Sequence, residues 1–181
     1  MEWLRFGSRT AGLLAALYAA TVVELSWPAN DFTPSWIALA VTFAIAVNRT
    51  SASVAWAAVG GFVIDATARG PFGAVLMAYG FVAGFFVTLV PAGRRTWWFT
   101  PTVAFTLATV LPVVQALIAH WDNGSLVEPA LLWNPALLRG CTTAFAATVC
   151  VMLYCVTHRL LSPSVSSQPL QLSNRWTMLT E

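Results

Sequence analysis

The sequence predicts an all-α membrane protein: a compact bundle of about six transmembrane helices with both chain ends on the cytoplasmic side. Three observations predict it. Of 181 residues, 58% are hydrophobic and 9% charged, whereas a soluble domain is about one-quarter charged. Mean hydropathy is +0.72. The apolar residues fall in long runs separated by short breakers, and the arginines gather on alternate breakers. So little charge cannot cover a surface that faces water. A secreted or cytosolic globular enzyme, a disordered linker and a nucleic-acid binder with clustered Lys/Arg are therefore excluded. The net charge of +2 is too small to imply an anionic partner.

A bilayer-crossing helix needs about 20 mainly apolar residues, with a range of roughly 17–25. The first run extends from about Thr10 to Trp27 and is followed by a break from Pro28 to Pro34. It carries no convincing small-x-small cleavage site and is read as an uncleaved helix rather than a signal peptide. The second run, about Pro34 to Asn48, is short. The third, Ala52 to Ala68, and the fourth, Phe72 to Val90, are separated by Gly70–Pro71. The fifth, Trp97 to Trp121, contains Pro112, which removes a backbone hydrogen bond and predicts a kink. The sixth extends from about Pro135 to Leu161. Residues 1–161 thus form a single polytopic domain, and 162–181 a polar Ser/Pro/Gln-rich tail expected to be cytoplasmic and mobile.

Orientation follows from the arginines, because cytoplasmic loops collect positive charge. With the N-terminus inside, Arg5, Arg9, Arg49, Arg94, Arg95, Arg159 and Arg175 lie inside, and Arg69 and Arg139 outside. Trp3, Trp97 and Trp98 then sit at the inner interface, and Trp27, Trp36, Trp121 and Trp133 at the outer one. That depth suits indole rings, which are apolar with one polar edge.

The residues of common chemistries are missing or scattered. Cys141, Cys150 and Cys155 lie in one run without a CxxC pair, His120 and His158 are at opposite ends of the bundle, and the chain has no Lys and no GxSxG. No cofactor or metal is expected, and the expectation is a protein that is not an enzyme.

Two acids lie inside apolar runs. Glu24 is one turn from Trp27 and is expected to reach the outer headgroups. Asp65 is deeper, where a carboxylate costs on the order of 2.5–3.5 kcal/mol. Arg69, four residues on, shares its helical face and is the expected partner. Ala57, Gly61 and Asp65 are also four apart, and small residues let another helix approach. Gly80 and Gly84 on the fourth run offer a partner face for it, so the third and fourth runs should form a hairpin around Asp65. A structural clasp, a partner contact at the outer face, and ligand, ion or proton handling all remain open for Asp65 and Arg69.

Taken in order, these motifs resemble the rod shape-determining protein MreD family. They are Trp27–Pro28 followed by Phe32-Thr33-Pro34-Ser35-Trp36, then Gly61-x-x-x-Asp65, then Gly70-x-x-Gly73. The resemblance covers roughly residues 10–90 and beyond that rests on hydropathy. Arg69, the long tail and the Lys-free, Trp-rich composition depart from the family pattern. The resemblance implies a multi-pass protein of the bacterial cytoplasmic membrane. It implies a non-enzymatic scaffold in lateral peptidoglycan synthesis, working with an MreC-like protein, the MreB filament, RodA and a penicillin-binding transpeptidase. The family is also similar in architecture to the substrate-binding subunits of energy-coupling-factor transporters, so a vitamin-carrier subunit is the alternative. On that alternative, Ala15-x-x-x-Ala19 and Ala16-x-x-x-Ala20 would meet a coupling partner.

Overall fold

The computed structural model describes residues 2–27, 32–48, 50–67, 72–123 and 129–161. They form α1 (Glu2–Ser26), α2 (Trp36–Val47), α3 (Thr50–Thr67), α4 (Ala74–Leu89), a 3-10 turn (Ala92–Arg94), α5 (Phe99–Asn123) and α6 (Pro129–Leu161). No strand occurs among the described residues. Arg69, Gly70, Pro71, the loop 124–128 and the tail from residue 162 lie outside them.

The helices follow the apolar runs, with two differences. α1 begins before Thr10, since Arg5 and Arg9 are good helix formers whether or not their surroundings are apolar. α6 begins at Pro129, not Pro135. Pro129 occupies the first helical position, where its missing N–H costs nothing, and the helix runs on through Pro135. α5 likewise continues through Pro112.

α2 is the centre of the bundle. It touches α1, α3, α5 and α6, and it buries Ile37, Ala38, Leu39, Val41, Thr42, Ala44 and Ile45. α3 packs on α4, α4 on α5, and α5 on α6. The core joins Ile37, Val41 and Ile45 of α2 to Tyr79 of α4 and to Val103 and Leu107 of α5. α1 is peripheral, with Leu17 its one buried side chain among those described.

Many large apolar side chains point outward, among them Tyr18, Phe81 and Phe145, each more than 70% exposed. An apolar exterior on this scale marks a surface meant for something other than water. Phe99–Ile118 and Trp133–Thr157 are long and apolar enough to cross a bilayer. This all-helical architecture is compatible with a helical membrane protein.

The chain runs up and down, so the bundle has two chemically distinct ends. Glu24, Ser35, Asp65, Gly73 and Arg139 lie at one, called here the acidic end. Asn48, Ser53, Arg94 and Arg95 lie at the other, the basic end.

The α3–α4 contact depends on Gly61. A Cβ there would lie 2.5 Å from the Leu76 Cα, so the α4 backbone occupies that space. Gly80 and Gly84 do not take part. A Cβ at either meets nothing within 4 Å, because α4 turns Val75, Tyr79 and Ala83 inward and leaves the two glycines on its outer side. The expectation that they pack against Ala57, Gly61 and Asp65 is thus corrected. Gly61→Ala should push α3 and α4 apart and cost about 1–3 kcal/mol. The measurement is thermal unfolding in detergent, in which Gly84→Ala should match the wild type.

Candidate functional site

A helix leaves its first four N–H groups and last four C=O groups without intrahelical partners. This matters most for the short helices. α2 has 12 residues and α4 has 16, or about 18 and 24 Å at 1.5 Å per residue. A hydrocarbon layer is about 30 Å thick. In both helices the free N–H groups are met by a carboxylate of the preceding helix.

At α4, Asp65 supplies the missing acceptor. Its Oδ2 accepts from the Gly73 N–H (3.0 Å) and the Leu76 N–H (3.0 Å), and its Oδ1 from the Val75 N–H (3.2 Å). Asp65 is 7% exposed. Gly73 sits at the N-cap position with φ of +101° and has no side chain to cap with. The left-handed turn thus leaves the capping role to a carboxylate from the preceding helix. Gly61, one turn earlier, brings the two backbones close enough for it to reach. The carboxylate also complements the positive end of the α4 dipole. The expected Asp65–Arg69 pairing lies outside the described residues, but both oxygens of Asp65 are already engaged by α4.

At α2, Glu24 does the same work. Its Oε2 accepts from the Ile37 N–H at 2.9 Å, and both its oxygens accept from the Ser35 hydroxyl at 3.3–3.5 Å. Ser35 is the N-cap, and its Oγ lies 3.4 Å from the Ala38 N–H. A guanidinium N–H of Arg139, on α6, donates to Glu24 and forms an ion pair with it. Thr143 completes the group. It accepts from the Ser35 N–H at 3.0 Å and donates to the Arg139 carbonyl at 2.7 Å. Glu24 therefore does not reach outward to headgroups, as expected from sequence, but turns in to join α1, α2 and α6.

The other end of α2 is capped by a cation. Arg95, 8% exposed, donates through one terminal nitrogen to the carbonyls of Ile45, Ala46 and Asn48, the last at 2.7 Å. Its guanidinium lies 5.2 Å from the centre of the Phe99 ring. The Ser53 hydroxyl donates to the Ile45 and Asn48 carbonyls at 3.1 Å. Burial lowers the Arg95 pKa from its ordinary value, though an arginine keeps its proton in proteins.

Sequence reasoning singled out Asp65 but missed the roles of Arg139 and Arg95. Arg139 lies in an apolar run at the same end as Glu24, so two opposite charges at one depth were the available signal. For Arg95 the signal was the shortness of the second run. Pro34 and Trp36 border a cleft at the acidic end together with Glu24, Trp27, Thr33 and Arg139. Its free volume is about 20 Å³, room for about one water. Ala57 is fully buried on α3, and the three cysteines are free thiols. No cluster of metal-ligating side chains occurs among the described residues.

No protein-family model matches the chain, and no curated protein or solved structure matches it.

Two substitution series test the caps by thermal unfolding in detergent. Asp65→Ala should cost about 2 kcal/mol, since one buried and two part-buried N–H groups lose their acceptor, and Asp65→Asn should retain part of the cap. Glu24→Gln should cost about 1–2 kcal/mol, between an exposed and a fully buried pair, by leaving the half-buried Arg139 without its counter-charge, and adding Arg139→Gln should recover part of that loss.

Proposed function

We propose that this chain is a non-enzymatic, multi-pass subunit of the bacterial cytoplasmic membrane that acts as a scaffold of the MreD type. In this reading it binds an MreC-like protein and, directly or through it, the MreB filament, RodA and a penicillin-binding transpeptidase. One observation carries the proposal. The charged groups inside the bundle are spent on its own helix ends, while the exterior offers large apolar side chains. A protein built this way meets partners sideways. Between helices in lipid, dispersion and a few hydrogen bonds supply the attraction. Gly80 and Gly84, open on the outer side of α4, leave room for a partner helix to approach.

The carrier alternative calls for a pocket of about 300–1,000 Å³ with converging polar groups. The cleft beside Glu24 and Arg139 holds about 20 Å³, and those two side chains already bind each other.

Depleting the protein from a rod-shaped host should produce rounded cells and mislocalised wall insertion, scored by microscopy with a fluorescent wall precursor. Unchanged shape and insertion would reject the scaffold. Stabilisation of the purified protein by a vitamin in a thermal-shift screen would instead favour the carrier. Asp65→Ala should reduce both membrane accumulation and recovery of an MreC-like protein on affinity pull-down.

A further inference from the structure

Among the described side chains, no acid pairs with the arginines of the basic end. Among the described residues the one ion pair is Glu24–Arg139, at the opposite end. Arg95 is buried with its guanidinium against three backbone carbonyls. Its Nε and its second terminal nitrogen have no hydrogen-bond partner. The partial negative charge at the end of α2 offsets about half a unit of it. Next to it, Arg94 closes the 3-10 turn and is exposed. Trp97 and Trp98 follow, 67% and 45% exposed, with indole N–H groups suited to the polar edge of a membrane. Arg9, on the second turn of α1, is exposed at the same end. The net charge of the chain is small, but the half-buried Glu24 and the buried Asp65 are committed at the far end. What counts here is the separation of charge along the bundle, not its sum.

We propose that the turn Ala92–Trp98 is a binding site for the phosphate of an anionic phospholipid. The exposed Arg94 guanidinium makes the contact, the Trp97 and Trp98 rings lie along the glycerol and upper acyl chain, and the buried Arg95 charge beneath adds attraction without leaving its cap on α2. The occupant is a lipid rather than an acidic protein because the surface beside the two arginines carries the exposed Trp97 and Trp98 rings. An acidic segment would leave that aromatic surface uncovered. The site rests on the membrane reading above but not on the scaffold role.

The test uses the full chain in nanodiscs and native mass spectrometry from detergent. Phosphatidylglycerol should be retained over phosphatidylcholine, and Arg94→Ala should weaken that preference roughly five-fold, about the value of one basic residue near an anionic surface. Arg94→Lys should keep most of it. Helix content and melting temperature in phosphatidylcholine should be unchanged by either substitution, since Arg94 is exposed. Equal retention of the two lipids by the wild type, or an unaltered preference in Arg94→Ala, would overturn the site while leaving the membrane reading intact. Failure to enter phosphatidylcholine nanodiscs would remove both. Inorganic phosphate that competes as well as phosphatidylglycerol would make this a free-anion site. Binding of a poly-glutamate peptide without any lipid preference would make it a protein contact. Either result overturns the lipid proposal.

Discussion

Unpaired backbone groups in a low-dielectric interior are costly, and the arrangement of this bundle follows from how those of α2 are paired. α2 is the most buried helix and the shortest. A carboxylate from α1 meets its N-terminus and a guanidinium from the α4–α5 turn meets its C-terminus. Each charge is of the sign that the helix dipole favours at that end. The two contacts fix the depth of α2 between its neighbours, and the apolar packing of Ile37, Val41 and Ile45 then follows.

The α1–α2 and α3–α4 hairpins solve one problem in two ways. In each, an acid near the end of the first helix accepts from N–H groups at the start of the second. Asp65 has a short side chain and works alone, because Gly61 brings the backbones together and the turn at Gly73 presents the N–H groups of Gly73, Val75 and Leu76 to it. Glu24 is longer and shares the task with Ser35. It also draws in Arg139 and Thr143, so that α6 is tied to the first hairpin at one point. A structural clasp thus accounts for both acids without requiring a ligand at either.

The six helices were legible because apolar runs of that length have few other uses, and Asp65 stood out because an acid in such a run needs a partner. The partner itself was not legible. Sequence spacing points along a helix, to Arg69, whereas the N–H groups that Asp65 meets belong to the next helix and leave no mark in side-chain identity. Gly80 and Gly84 illustrate the converse. Their spacing matches a packing motif, but which face of α4 turns inward is decided by Val75, Tyr79 and Ala83 against the core. Arg95 looked like one more positive charge setting orientation, and Arg139 like a minority charge on the wrong side. Their roles required knowing that residues 50 and 115 positions away would be brought beside them.

The reach of Arg95 back to α2 also bears on how the chain is made. The Ile45 carbonyl and its cap are 50 residues apart, which at 5–20 residues per second is a delay of roughly 3 to 10 s on the ribosome. During that interval α2 has Glu24 within reach of its N-terminus and Ser53 beside its C-terminal carbonyls, but no cation there. Until the turn after α4 is made, the partial negative charge at that end of α2 has no arginine to meet it. The caps of α2 are thus completed in chain order, Glu24 and Ser53 first, Arg95 next, and Arg139 and Thr143 last.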